Sequence, residues 1–527
     1  INANMRRLAF RLLLTGAAAG TAYYYCRDRT WSSLRIVRFG RATYAVGETT
    51  IRDGFVITHM STVLQAFRVT TDYKWTLRNV DPNSPNYGIL LSEVHLRSAL
   101  RLREMCSLNG GLFIKVGQHI GSLEYLLPLE YVRTFKLFHS EAPKSSLSEL
   151  KQVIREEFKR PADEVFARLE EEPLGAASLA QCHKGVLKDG RIVAVKIQRP
   201  DVRENSSVDM DTIDFLVWCV KKAFPTFQFG WLAKEVRRNL PVELDFHNEA
   251  RNQEKFAAMF KHLHFAKSPT VHWDLTTARV LTMDFEEGGK VDNLKYITDN
   301  KISVNEVSLK LSQLFSEMIF IHGFIHCDPH PGNVLARKDK NGSVEIVLLD
   351  HGLYTELSDK FRVTYCRLWQ ALIKGDTAGI KEYCLKLNAG ELYPLLASVI
   401  TARAWNSIQT GIAKKERTAG ELKEIRRHAV MYFGEISQLL NSVPRELLLI
   451  LKTNDLLRSL EFVLAPRVHT QSFITMSKYC VRALGDQDAR DCTFWWQRMV
   501  VRTRTSLSLL FIRLYETWLW CKGALLE

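Results

Sequence analysis

Residues 326–333 read His-Cys-Asp-Pro-His-Pro-Gly-Asn, and Asp350-His351-Gly352 follows directly behind the apolar run Ile346–Leu349. This pairing constrains the chain more than any other feature. Pro329 and Pro331 stiffen the first loop, and the run before Asp350 has the composition of a buried strand. Two carboxylates and a carboxamide on a loop and a nearby strand end suit phosphoryl transfer. One Asp takes or orients the acceptor proton, while the Asn and the second Asp hold Mg²⁺ against the phosphates of ATP. A strand–loop–strand frame is needed to bring Asp328, Asn333 and Asp350 to one cleft.

The complementary half lies upstream. Cys182–Leu187 and Arg191–Ile197 are short β-type runs joined by Asp189-Gly190, a strong hairpin signal. The second run carries Val193-Ala194-Val195-Lys196. Alternation sends Lys196 to one face and Val195 to the other. A strand lysine placed here grips the α and β phosphates and is held by a glutamate on a packed helix. Before the hairpin stands Leu174-Gly175-Ala176-Ala177-Ser178-Leu179-Ala180-Gln181-Cys182, with one glycine where a nucleotide-covering loop usually has three. Such a loop is stiffer and its amides less free to wrap phosphate. Glu243, Asp245 and Glu249 are the acidic candidates for Lys196. All lie in the segment Trp231–Arg251, read as one helix, far enough from Lys196 to imply an insertion near 200–240.

The coarse pattern is helical over 50–170, strand pairs from 173, helix over 200–260, strand over Val271–Phe285 and helix over Leu309–His322. A second hairpin follows around Asn341-Gly342, and the rest is helical from Asp359 onward. This gives an α+β bilobal body. The domain reading is 1–50 for targeting or a membrane segment, 51–172 for a helical extension and 173–290 for an N-lobe with a helical insertion. Residues 291–485 make a C-lobe and 486–527 an amphipathic tail.

Composition adds a location. The chain has 527 residues and a formal charge of +14, which favours an anionic partner such as a nucleotide or acidic lipid. No long basic block interleaved with aromatics is present, so nucleic acid is not expected. The ten cysteines are scattered and read as reduced thiols. Met5 is read as the initiator. Arg6, Arg7 and Arg11 follow, then an uncharged run from Leu12 to Cys26, and the first acid is Asp28. That is presequence-like and predicts mitochondrial import. The uncharged run falls short of the roughly 20 residues of a membrane-crossing helix, so it is either a marginal span or a cleaved leader. Near the other end Leu507, Leu510, Phe511, Leu514, Trp518 and Cys521 recur at helical spacing behind Arg498, Arg502 and Arg504. An interfacial helix has this pattern, as does a last helix docked on its own core.

Lys115-Val-Gly-Gln118, Gly175-Ala-Ala-Ser178, Val193-Ala-Val-Lys196, Glu243-Leu-Asp245, the Asp328–Asn333 loop and Asp350-His-Gly352 occur together and in order. In this the chain resembles the UbiB or aarF-domain family of atypical kinases, and within it a mitochondrial branch. The resemblance covers roughly residues 85–480. It implies a bilobal protein-kinase-like fold with an N-terminal helical extension whose Lys-x-Gly-Gln segment packs over the active site. Carried over, Lys115 and Gln118 face the cleft and contact Glu243 and Asp245 as regulatory residues, and Glu249 pairs with Lys196. Leu174–Cys182 cover the nucleotide, Asp328 is catalytic, and Asn333 and Asp350 hold Mg²⁺. Cys327 and His351 stand where ordinary kinases have Arg and Phe, which argues against phosphorylation-controlled protein kinase activity. The resemblance further implies membrane lipid, and protein partners at the inner membrane, for an ATP-binding kinase or ATPase supporting membrane organisation or lipid homeostasis.

Three other readings stay open. A small-molecule kinase needs the same Asp and Mg²⁺ set. An ATP-binding scaffold at the inner membrane needs only the binding half. A metal-dependent hydrolase would draw its ligands from His326, Asp328, His330, Asp350 and His351, and it leaves Lys196 and the alanine-rich loop unexplained.

Overall fold

Four antiparallel strands in the order β1-β2-β3-β5 form the upper sheet, with β1 Arg168–Ala176, β2 Ala180–Val186, β3 Ile192–Gln198 and β5 Val280–Asp284. The computed structural model describes residues 52–524, apart from 82–83, 122–126, 140–143, 201, 226–229, 412–432 and 465–468. The uncharged run 12–26 and the arginines before it lie outside the described residues. The chain divides into two compact units, residues 1–71 and 72–527. Residues 52–71 of helix α1 (Arg52–Thr76) are the described part of the first; the end of that helix, the sheets and all other helices belong to the second.

In β3 the period-2 pattern works as expected. Val193, Val195 and Ile197 are buried on one face against Leu150, Val153 and Ile154 of α5 (Leu147–Phe158). Lys196, level with Cys182 on β2 and Leu281 on β5, belongs to the other face. That face meets the helix α8 (Phe246–Met259) through Phe246 and Ala250. The strand β1 is absent from the sequence expectation, which placed the end of the helical extension there. It is an edge strand with irregular pairing around Pro173, and its glutamates face solvent. Edge strands tolerate proline and charge, which hides their pattern.

The expected single helix over Trp231–Arg251 is two. Helix α7 (Gly230–Glu243) contains Pro241 and stops, and Asp245 caps α8 by accepting from the His247 amide at 3.1 Å. With α6 (Val202–Ala223), α7 forms the helical insertion. The extension helices α2 (Pro85–Asn109), α3 (Gly111–Gly121) and α4 (Leu129–Lys136) pack on it, sharing one core with Phe113, Phe135, Met210, Val236 and Leu240.

In the lower lobe, β8 (Val334–Lys338) and β9 (Val344–Leu348) make the expected hairpin around Gly342, whose φ is 80°. They lie within the sheet β4-β9-β8-β6, where β4 is Ala266–Lys267 and β6 is Gly289–Lys290. A separate two-stranded sheet pairs β7 (Phe324–His326) with β10 (Tyr354–Glu356). The pairs Val334↔Leu348 and His326↔Tyr354 draw loops 327–333 and 349–353 side by side. Behind them Tyr365 and Trp369 of α10 (Asp359–Lys374) and Phe320 fill the main helical core. Helices α9 (Val304–Ser316), α11 (Arg445–Leu464) and α12 (His469–Asp491) pack around it.

The last helix, α13 (Trp495–Ala524), packs along α12, joined by the Lys478–Glu516 ion pair. Its other side leaves Trp495, Met499, Phe511, Leu514 and Trp518 more than half exposed. The helix therefore docks on the body without burying its apolar stripe. Among the described residues no helix is long and apolar enough to cross a membrane.

Candidate active site

Lys196 is the hub. Its Nζ donates to Glu249 Oε1 at 2.6 Å and to Asp350 Oδ2 at 3.2 Å. Three elements meet in this contact: β3, helix α8 one turn from its capped end, and the loop after β9. Burial works against the lysine charge, but Asp350 and Glu249 outweigh it and hold its pKa above the ordinary value. Burial also tends to raise Asp350; Lys196, the Gly352 amide at 2.9 Å and Lys115 outweigh it and bring the carboxyl down to about 2. For Glu249, 3% exposed, burial is the larger effect and pushes the carboxyl up to about 7 despite Lys196. Asn252 of α8 also donates to the His351 carbonyl at 3.1 Å. The helix and the Asp350 loop are therefore tied together by side chains of both.

Two histidines organise the loops. His326 Nε2 donates to the Asp350 carbonyl at 2.6 Å, and its Nδ1 accepts from the Asp328 amide at 3.1 Å. Burial keeps it neutral, lowering its pKa. His351 is fully buried, packs on Phe256 at 5.2 Å and stacks on Tyr354. Its Nε2 donates to Leu348 O, and burial lowers its pKa to about 3. It thus fills the apolar place left by the missing Phe, locked by hydrogen bonds. These bonds argue against the hydrolase reading, because both nitrogens of each ring are engaged: Nε2 donates to a backbone carbonyl, while Nδ1 accepts from the Asp328 amide in His326 and from the Tyr354 hydroxyl in His351. Among the described residues, the one group of three His, Cys, Asp or Glu side chains close enough together to hold a metal ion lies elsewhere.

Asn333 donates from Nδ2 to the Asp328 carbonyl at 3.4 Å, which fixes the amide with its oxygen uncommitted. Asp328 and Asp350 add carboxylate oxygens, so the donor set is all oxygen and fits a hard divalent cation. Asp328 Oδ1 accepts from Lys452 Nζ of α11 at 3.2 Å. Sequence reading missed Lys452. The available signal was weak: a lysine directly after the apolar run Leu447–Leu451 and before Thr453-Asn454-Asp455, which the structure leaves 8% exposed.

The extension supplies Lys115, whose Nζ lies 2.9 Å from Glu243 Oε2. Burial opposes its charge, but Glu243, Asp328 and Asp350 together raise its pKa. Gln118 donates to the Phe138 carbonyl at 2.9 Å. The contact expected of Asp245 is not made: its oxygens serve His247 and Asn248 at the start of α8. A carboxylate at an N-cap satisfies free amides and the helix dipole together, and this is where its energy goes. Gly117 is required by space, since a Cβ there would meet the buried Phe138 ring at 2.5 Å. Gly117→Ala should therefore lower stability by about 1–3 kcal/mol, read as a drop in denaturation midpoint. An unchanged midpoint would show that the extension can shift.

The alanine-rich loop is a tight β-turn. Ala177 N donates to Ala180 O at 2.8 Å, and Ala176 pairs with Gln181. Leu179 is buried in the same core as Phe113 and Phe138, while Leu174, Gly175 and Ala177 are exposed. Gln181 donates to Ser145 O at 3.2 Å, and Cys182 stands beside Lys196 on the sheet. The extension thus pins the turn through Leu179.

Comparison with known proteins now bears on this geometry. The ABC1 atypical kinase-like domain matches residues 137–384. A Gallus gallus protein described as AarF domain-containing protein kinase 1 is 48% identical over 522 residues, 99% of this chain and 97% of its own. The chain belongs to the ABC1/AarF family of atypical kinases. A mouse relative with the same description is 49% identical over 92% of this chain and 93% of its own. The Drosophila melanogaster AarF domain-containing kinase 1 is 40% identical over 97% and 94%. The Gallus gallus match, at 99% of this chain, takes in the Lys115 segment and α13. The kinase-like α+β fold of this ABC1/AarF chain is consistent with nucleotide binding in the cleft.

Proposed function

We propose that this family member binds ATP with Mg²⁺ in the cleft between its lobes and performs Mg²⁺-dependent phosphoryl chemistry there. The observation that carries the reading is Lys196 bridging Glu249 and Asp350 at 2.6 and 3.2 Å, with Asp328 and Asn333 on the adjoining loop. Lys196 binds the α and β phosphates, Asp350 and Asn333 hold the cation, and Asp328 orients the acceptor. The cation, when bound, neutralises charge on the phosphates. The turn at 176–180 covers the nucleotide, and Lys115 adds a positive charge toward Asp328 and Asp350.

The site works at a mitochondrial inner membrane, where it supports membrane organisation or lipid homeostasis. The basic, acid-poor start of the chain supports import. The exposed apolar stripe of α13, flanked by Arg498, Arg502 and Arg504, supports contact with anionic lipid. A scaffold that binds ATP without transferring phosphate is the second reading. The pinning of the alanine-rich turn by Leu179 favours it, because phosphoryl transfer depends on positioning. The test is ATP binding and hydrolysis by the purified chain, with and without cardiolipin-containing vesicles. Hydrolysis stimulated by vesicles supports the first reading. Binding without hydrolysis under both conditions supports the scaffold, and no binding removes both.

A further inference from the structure

His262, Glu317 and His322 converge behind the cleft, with ligand atoms all within 4.8 Å of one another. Glu317 Oε1 accepts from His262 Nε2 at 2.5 Å and from His322 Nε2 at 3.3 Å. Its second oxygen accepts from the Tyr479 hydroxyl at 3.1 Å. Glu317 is 4% exposed, so its carboxylate belongs to the interior. Burial tends to raise its pKa, but the hydrogen bonds from His322, His262 and Tyr479 outweigh it and hold the group below the usual value.

The backbone is adapted to this cluster. Helix α9 passes at Glu317 into a π-helical turn, Glu317–His322, which ends at Gly323 with φ 62°. On an α-helix two residues five apart lie about 140° apart around the axis. The wider i→i+5 turn brings positions 317 and 322 to one side, and π turns of this kind recur at functional sites. His262 reaches the same point from the turn after α8, and Tyr479 from α12.

We propose that His262, Glu317 and His322 bind a Zn²⁺ ion, with Tyr479 as the hydrogen-bonded support of the carboxylate. Two imidazoles and a carboxylate suit zinc, whereas Mg²⁺ and Ca²⁺ prefer oxygen throughout. Zn–N and Zn–O bonds near 2.0 Å place tetrahedral neighbours about 3.3 Å apart. The His322–Glu317 pair already has that spacing. His262, whose side chain is 54% exposed, needs to retreat by less than about 1 Å from its hydrogen bond. Binding replaces the hydrogen bonds from the two Nε2 atoms to the carboxylate, and each neutral ring then carries its proton on Nδ1. The Tyr479 bond fixes the carboxylate orientation in the manner of outer partners at metal sites.

The position gives the ion a consequence. His262 follows the helix that carries Glu249, and His322 precedes the strand β7 that ends at His326. Zinc here ties the glutamate helix to the base of the Asp328 loop. It is a staple remote from the phosphate site and independent of whether that site turns over.

The experiment uses the full chain, stripped with chelator and titrated with Zn²⁺ by calorimetry, with metal content measured after gel filtration. One ion per chain is expected. His262→Ala and His322→Ala should weaken binding by at least about 100-fold, and Tyr479→Phe by about 10-fold. Asp350→Ala should bind zinc as the unaltered chain does, which separates this site from the cleft. Because His262 is exposed, its variant tests the proposal even where His322→Ala fails to fold. Absence of binding at micromolar Zn²⁺, or undiminished binding by His262→Ala, would overturn it.

Discussion

Asp350→Ala should abolish the rise in melting temperature that ATP produces in the presence of Mg²⁺. A ligand at 100 times its Kd stabilises the folded chain by about 2.7 kcal/mol, a shift easily read in a thermal scan. Asp350 is the residue with most to lose. It is held ionised at about 2, accepts from Lys196 and the Gly352 amide, and shares the loop with His351. Its removal deletes a proposed cation ligand and leaves Lys196 paired with Glu249 alone. The fold should survive: the Asp350 side chain is 35% exposed, and Lys196 keeps its closer partner at 2.6 Å. The variant's own melting point without ligand therefore shifts little, while the ligand-induced rise disappears. A rise that persists with Mg²⁺ and vanishes on chelation would move the cation to other residues and sink this assignment.

The parts of this site that were legible in the sequence are those whose chemistry is written in short spacings. Asp328 and Asn333 share one loop. Lys196 sits on a β-run whose alternation holds, with Val195 buried beneath and Lys196 on the cleft side. The Lys196–Glu249 contact spans 53 positions yet was expected, because the resemblance named both partners. What stayed hidden has three physical origins. The edge strand β1 carries glutamates and a proline, so solvent exposure on both faces erased its pattern. The acidic character of Asp245 suggested the cleft, while its place just before a helix start gave it a capping role; charge was read ahead of backbone geometry. Pairings across long separations leave no local trace, as with Lys452 and Asp328, which lie 124 positions apart. The π turn at 317–322 belongs here too, since its residues read as an ordinary apolar helix.

Lys452→Ala should reduce ATP turnover far more than it reduces ATP affinity. The lysine approaches from α11, between the buried Leu451 and Thr453, and its side chain is only 10% exposed. It faces Asp328 at 3.2 Å, whereas Glu249 and Asp350 are served by Lys196. The loop itself offers no cation there, because His330 turns its Nδ1 to the Gly332 amide and burial lowers its pKa. Lys452 therefore holds the Asp328 carboxylate and, on the proposed function, sets a positive charge beside the transferred group. Removing one such preorganised charge costs about 10²–10³ in rate, whereas the grip on the α and β phosphates belongs to Lys196 and should leave Kd within about threefold. Lys452→Arg keeps the charge on a longer, planar head and should restore part of the rate. Lys452→Met keeps the bulk without the charge and should not, which separates electrostatics from packing. Parallel measurement of ATP hydrolysis and ATP binding decides the matter. Equal losses in both, or full turnover in Lys452→Met, would reduce the lysine to a structural partner of Asp328.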